Sequence, residues 1–277
     1  MWRYNVIMSK ESNFKIRRAF ASFGGICRYN CNHCYTFIDK FSTLKNNSIS
    51  EIINELETKD FNIVYISGYN ENFYIPKMGI NLIERLYERF KCHILFTTRN
   101  VFNNEDMKRI QMINRNMRKD KKMLCACVSI SAYDSYKKLE SNSMIPTPNQ
   151  RIEFIKKMYN SGILTFLTLR PICPNDYIPT NEYINILSDV GNNCSGVISS
   201  GIVVNDDILK RLNGFPIDFR ANEKLIMPCL CQDNLYVKYI DVEVELRTIK
   251  EYCVQHSIPF YSGSVDAIQN SLADLLI

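Results

Sequence analysis

The feature that most constrains the fold is a rhythm: from Lys15 to Val204, apolar runs of about seven residues alternate with amphipathic stretches of about ten or more. Residues 1–14 carry no clear period. Lys15–Phe23 then reads as a strand, followed by Gly24-Gly25. Ser48 or Ser50 can cap a helix with Ile52, Ile53 and Leu56 on one face, ending near Lys59. Strand and helix recur as Phe61–Ser67 and Met78–Phe90, Cys92–Thr98 and Glu105–Lys121, Leu124–Ser131 and Pro148–Asn160, then Ile163–Arg170 and Asn181–Val190. Gly196–Val204 is the sixth strand. Pro148 suits a first helical turn, and Gly162 a helix end. Short strands separated by longer helices predict parallel βαβ units. The unbroken apolar character of Phe61–Ile66 and Ile163–Leu169 fits strands covered on both faces.

The expected fold is α/β, a partial (β/α)6 TIM-like barrel over residues 1–204 with a C-terminal α/β extension over 205–277. An open doubly wound sheet would show the same local pattern. The extension reads as a helix at Asp206–Leu212, a less regular stretch at Asn213–Asp241, a helix at Val242–Gln255, a strand at Ile258–Tyr261 and a last helix from about Val265. It is expected to pack on the barrel and close the active site. The chain's 277 residues suit one such domain, since α/β barrels run to about 250 residues.

The first strand leads into Gly25-Ile-Cys27-Arg-Tyr-Asn-Cys31-Asn-His-Cys34-Tyr35. Cysteines spaced Cys-x3-Cys-x2-Cys can converge on one cofactor. A four-iron cluster normally takes four thiolates, so three leave one iron open to a chelating ligand. Zinc is the competing occupant; it wants four ligands, and His33 would have to supply the last. Eleven cysteines, an odd count, and a start (MWRYNVIMSKESNF) without a basic-then-apolar leader argue against a secreted disulfide framework. No apolar run approaches the roughly 18 residues of a membrane helix. A cytoplasmic protein with reduced thiols is expected. The net charge of +5 is concentrated in Lys108-Arg109 and Arg115–Lys122. That run permits a nucleic-acid partner without demanding one, and a solvated cationic helix end is the plainer explanation.

Placed after the first strand of a βα repeat, Cys27-x3-Cys31-x2-Cys34 resembles the signature of the radical S-adenosylmethionine (radical SAM) superfamily. The resemblance implies that the three cysteines ligate a [4Fe-4S] cluster and that SAM chelates the fourth iron through its amino and carboxylate groups. Reduction, by an electron donor such as flavodoxin or ferredoxin, would cleave SAM to methionine and a 5′-deoxyadenosyl radical that abstracts hydrogen from a substrate. The family has an aromatic residue before the third cysteine, near the adenine; His33 stands there, with Tyr35 following. Ser67-Gly68-Tyr69-Asn70-Glu71 stands where a glycine-rich stretch would bind the SAM amino group. Ser129 and Ser131 share one side of their strand with Cys125 and Cys127 and resemble the ribose-contacting pair. Arg170 or Arg99 would take the SAM carboxylate. Gly201-Ile202-Val203 resembles the backbone contact to adenine. All these positions are expected at C-terminal strand ends, where barrels place their chemistry.

Within the superfamily, Val128–Asp134, Lys138–Glu140, Ile145–Arg151 and Leu169–Pro174 resemble the spore photoproduct lyase and DNA-repair-lyase-like branch. This makes nucleic acid one candidate substrate and a peptide the alternative. In that branch a cysteine can return a hydrogen atom to a product radical; Cys173 is the candidate, though a small apolar filler would look the same. Glu71, Asp134 and Glu140 are candidate proton carriers. Cys194, Cys229, Cys231 and Cys253 lack the spacing of an auxiliary cluster, and His93 and His256 read as structural. The alternative of another class is a non-enzymatic zinc- and nucleic-acid-binding protein.

Overall fold

The computed structural model describes residues 6–7, 16–25, 27–34, 46–66, 70–217, 219–225 and 235–276. Tyr35, Ser67, Gly68, Tyr69, Cys229 and Cys231 lie outside the described residues. A two-residue strand β1 (Val6–Ile7) precedes β2 (Ile16–Ala21), α1 (Ile49–Leu56), β3 (Ile63–Ile66), α2 (Pro76–Phe90), β4 (His93–Thr98), α3 (Asn104–Lys119) and β5 (Leu124–Ile130). Then follow α4 (Tyr136–Leu139), α5 (Pro148–Asn160), β6 (Leu164–Ile172), α6 (Thr180–Val190), β7 (Gly196–Gly201), β8 (Val203–Val204) and α7 (Asp206–Arg211). The chain ends through β9 (Phe219–Leu225), β10 (Leu235–Ile240), α8 (Glu243–Gln255), β11 (Phe260–Tyr261) and α9 (Ser264–Leu276).

Helix starts follow from local chemistry. Ser48 and Thr147 each accept from the third backbone N–H of their helix, and the Glu51 or Gln150 side chain answers the cap's own N–H. Asn103 caps α3 in the same way without the reciprocal bond, while α2 has no side-chain cap and begins on Pro76.

One sheet has the order β1-β2-β3-β4-β5-β6-β7-β11, parallel throughout from β2 to β11 and antiparallel only at β1. It curls into the expected partial barrel. Strands follow one another in chain order because each helix returns the chain to the start of the next strand. The C-terminal region differs from expectation in two respects. The stretch Asn213–Asp241 contains the antiparallel pair β9 and β10, which joins β8 in a separate sheet of order β8-β10-β9. Its sequence there, FRANEKL, offers no apolar run to announce a strand. The sixth expected strand is therefore split: β7 stops at Gly201, and Val203 pairs with Tyr239 in the second sheet. Phe260 and Tyr261, meanwhile, pair in parallel with Val197 and Ile198, so residues beyond 205 supply a strand of the barrel sheet itself.

Inward and outward faces follow strand alternation. Ala126, Val128 and Ile130 face the helices, whereas Cys125 and Cys127 join Ile16, Ile63, Leu95, Phe166 and Ile198 in the lumen. Met123, together with Ala267 and Ile268 of α9, belongs to this inner cluster and closes the floor at the N-terminal ends of the strands. The upper lumen is left to residues farther along β5 and β6.

Candidate active site

The cysteine loop leaves β2 through Gly24 and Gly25, at φ 72° and 73°. Gly25 is required twice over, because its φ is left-handed and a Cβ would collide with the Asn46 side chain. Asn30 takes a third left-handed conformation at φ 46°, which asparagine tolerates. Between the cysteines Tyr29 is buried and packs with Cys31 and Ile145, and Cys27, Cys34 and Tyr74 flank this small cluster.

Two distant segments hold the loop. After β5, the Leu139 carbonyl accepts from Asn32 N at 2.8 Å, Asn32 Nδ2 donates to Lys138 O at 3.0 Å, and Asn142 Nδ2 donates to Arg28 O at 2.8 Å. From the end of α7, Arg211 donates to the carbonyls of Cys31 and Cys34 at 3.0 and 2.6 Å. All three cysteines are free thiols. Burial pushes the Cys27 and Cys31 thiols up; the neighbouring cysteine thiolates add to that, while Arg99 pulls Cys31 down. Among the described residues, no trio of His, Cys, Asp or Glu gathers around one point as a single metal ion would require.

His33 faces inward. Leu139 O, which can only accept, lies 3.2 Å from Nδ1, so Nδ1 carries the hydrogen and Nε2 presents its lone pair to Arg99 Nη2 at 3.3 Å. Burial, then the Arg99 charge, holds the imidazole neutral with its pKa lowered to about 3. Both ring nitrogens are engaged, which leaves neither for zinc.

Behind His33 stands a buried charge network. Arg99 Nε reaches Glu140 Oε1 at 3.0 Å, and Arg151 reaches the same carboxylate with Nη1 at 3.2 Å and Nη2 at 2.5 Å. Arg151 is fully buried and also donates to the Ser129 carbonyl at 2.6 Å. Burial opposes ionisation of Glu140, but Arg151 and Arg99 bring its pKa down to about 2. Glu140 is thus a fixed anion rather than a proton carrier. Glu71 differs: burial pushes its pKa up, although it accepts from Thr98 Oγ1 and Arg99 N at 2.8 Å and from Phe73 N at 3.1 Å.

Among the described residues, Ser131, just after β5, and Thr168, on the adjacent strand β6, present buried hydroxyls with no hydrogen-bond partner. Alternation places Ser129, Thr168 and Arg170 on the lumen side with Cys127 and Phe166. Arg170 Nη2 donates to Ser262 O at 2.9 Å, across the mouth toward the segment after β11. Other residues expected at the site stand elsewhere. Arg99 spends its guanidinium on His33 and Glu140, behind the loop. Gly201 ends β7 and faces Val242, whose Cγ2 would lie 2.6 Å from an added Cβ, so packing also favours glycine there. Val203 belongs to the second sheet. Cys173 is fully buried in the outer core, its backbone N–H donating to the Tyr183 hydroxyl at 3.0 Å, outside the lumen. The Glu182 carboxylate accepts from the backbone of Tyr133, Asp134 and Ser135 and so shapes the turn after β5. Arg115–Lys122 closes α3 and leads into the start of β5, at the end of the barrel opposite the cysteine loop.

Arg151, Arg211 and Thr168 were not anticipated. Arg151 had a readable signal, since it shares a helix face with Ile155 four residues on, where a charged residue implies a buried partner. Arg211 had none.

No protein-family model matches the sequence, and no curated protein matches it. Solved structures do resemble the fold. A spore photoproduct lyase variant with bound AdoMet and dinucleoside spore photoproduct superposes with a TM-score of 0.62 at 13% identity, covering 93% of this chain and 78% of that one. Streptococcus suis SuiB bound to precursor peptide SuiA gives 0.56 at 12% identity over 89% of this chain, which spans 48% of SuiB. SuiB bound to S-adenosylmethionine gives 0.55 at 12% identity. Spore photoproduct lyase and SuiB thus share this chain's partial-barrel fold, and each is seen holding SAM.

Proposed function

We propose that the protein is a radical SAM enzyme that uses a [4Fe-4S] cluster held by Cys27, Cys31 and Cys34. The observation that carries this reading is the cysteine loop itself: three free thiols, at the C-terminal end of the first barrel strand, clamped from two other segments. The donor set fits the group, because an iron cube offers each thiolate its own corner and needs no common centre. The fold agrees, since two proteins sharing it hold SAM. When bound, the cluster and SAM would supply reductive cleavage of SAM to a 5′-deoxyadenosyl radical and hydrogen abstraction from the substrate.

The chain's own residues have separable tasks. Arg211 and the 138–142 segment fix the loop backbone, so the thiols are held in place before any ligand arrives. Neutral His33, braced by Arg99, Glu140 and Arg151, forms the inner wall without adding a titrating group. The Ser131 and Thr168 hydroxyls, unpartnered and buried, fit a polar ligand such as the SAM ribose or methionine end. Arg170 stands at the same mouth with donors suited to a carboxylate. The apolar floor under Cys127 and Phe166 excludes water from the place where a radical would form. Residues 205–277 close the site through Arg211 and Ser262.

The substrate is a nucleic acid or a peptide, the classes on which the two similar proteins are seen, and the lumen above the floor is where it would be presented. The zinc-binding alternative is opposed by the engaged nitrogens of His33 and by the placement of the basic run at the far end of the barrel.

The test is anaerobic reconstitution. About four irons per chain, broad visible absorption and 5′-deoxyadenosine on reduction with dithionite are expected. Absence of 5′-deoxyadenosine from protein with an intact cluster would overturn the proposal. Deuterium transfer from labelled nucleic-acid or peptide pools into 5′-deoxyadenosine would then name the substrate class.

A further inference from the structure

Outside the cysteine loop, on the side away from the lumen, three large apolar side chains stand in solvent. Ile75 is 48% exposed, Met78 45% and Met144 51%. Scattered exposed apolar residues need no explanation, but these are linked through Tyr74. Its hydroxyl donates to Met144 Sδ at 3.1 Å, and the Arg28 guanidinium lies 5.0 Å from its ring centre. The Tyr74 ring also meets Tyr29 edge-on at 5.6 Å, and Tyr29 packs on Cys31. One aromatic pair therefore separates this patch from the thiols.

The charge around the patch has one sign. The segments 27–34, 70–78 and 136–147 contain the cations Arg28, Lys77, Lys137 and Lys138 and only two acids, Glu71 and Glu140. Both acids turn inward, Glu71 to Thr98 and the 99 and 73 backbone, Glu140 to Arg99 and Arg151. Lys138 donates to the Tyr177 carbonyl at 2.8 Å, so among these described segments the exposed cations left beside the apolar trio are Arg28, Lys77 and Lys137.

On the reading of the site given above, which this inference presupposes, an electron must reach the cluster from outside while the lumen mouth is occupied by SAM and substrate. We propose that the face formed by Arg28, Tyr74, Ile75, Lys77, Met78 and Met144 docks an acidic one-electron carrier protein. One electron leaves the reduced carrier and enters the cluster; no bond or proton changes place in the transfer. Complementary charge would steer the encounter and the apolar trio would hold it. The patch suits a protein better than a nucleic acid, because its exposed centre is aliphatic and thioether rather than aromatic, and its one ring, Tyr74, is already in contact with Arg28 and Tyr29.

The test uses Lys77→Glu with Met78→Ser, and separately Met144→Ser, in the reconstituted protein. A glutamate in the first turn of α2 complements the helix dipole, so the first variant should fold. Calorimetric binding of an acidic flavodoxin and an acidic ferredoxin, both oxidised, is measured at low and high salt. Binding of at least one carrier should weaken by about tenfold or more in the variants and with salt, while dithionite-driven 5′-deoxyadenosine formation is unchanged. Carriers that bind neither form in a salt-sensitive way, or both forms equally, refute the docking surface, as would an oligonucleotide whose binding the same substitutions abolish. Loss of dithionite-driven activity in the unsubstituted protein would instead count against the proposed function, and the binding measurement still judges the surface.

Discussion

Replacing Glu140 with glutamine removes the single anion between two guanidinium groups and leaves the shape of the network almost unchanged. In the native protein burial disfavours the carboxylate, yet Arg151 and Arg99 lower its pKa from the ordinary 4.5 to about 2. A fall of that size corresponds to ~3 kcal/mol. Breaking a buried ion pair from one side costs about 3–5 kcal/mol by a separate route, because the fully buried Arg151 loses its counter-charge. With a urea m-value of about 3 kcal/mol/M for a chain of this length, the unfolding midpoint of the apoprotein should drop by about 1 M. The effect has a pH signature. A carboxyl whose pKa is depressed on folding contributes fully above its ordinary value and loses that contribution as pH falls toward its folded value. The gap between wild type and Glu140→Gln should therefore be complete at about pH 6 and fall below half by about pH 3. A paired replacement, Glu140→Leu with Arg151→Met, should recover part of the loss, because the fully buried guanidinium leaves together with its counter-charge, while Arg99, which also loses Glu140, keeps a 24% exposed side chain in contact with water. A midpoint shift under about 0.3 M, or a gap that does not narrow in acid, would refute the reasoning.

Two further outcomes are expected. Ser131→Ala should raise the stability of the apoprotein by about 1 kcal/mol, since it removes a buried hydroxyl with no partner, and should weaken SAM binding as measured by calorimetry; a loss of both would show that the hydroxyl serves the fold. Arg211→Met removes two charged hydrogen bonds to the loop carbonyls and should cost about 1–2 kcal/mol while speeding iron loss to a chelator several-fold, whereas unchanged iron release would show that the 138–142 segment alone fixes the loop.

Much of the barrel was legible because its signals are local. Ser48 caps the helix its spacing promised, and α2, α3, α5 and α6 lie within a residue or two of their apolar periods, whereas the short α4 was not expected. The cysteine spacing and the inward pairing of Ser129 with Cys127 were equally local. What escaped depends on partners far away in the chain. Glu140 reads as a free carboxylate until Arg99 and Arg151 are seen around it, and Cys173 reads as a strand-end thiol until Tyr183 encloses it. β9 escaped for another reason, since a strand with few apolar residues carries no period to detect.

The reach of Arg211 also dictates when the cysteine loop acquires its shape. The bonds holding the loop span 106 residues from Asn32 to Lys138 and 180 from Cys31 to Arg211, so the loop belongs to the last contacts a growing chain can make. Closing such long loops is entropically slow compared with forming each βα unit. A ribosome-bound chain that has not yet emerged past α7 holds the three thiols but not their frame. On the proposed function, assembly of the cofactor would thereby be a late event in the protein's biogenesis, performed on a finished barrel rather than on a nascent strand.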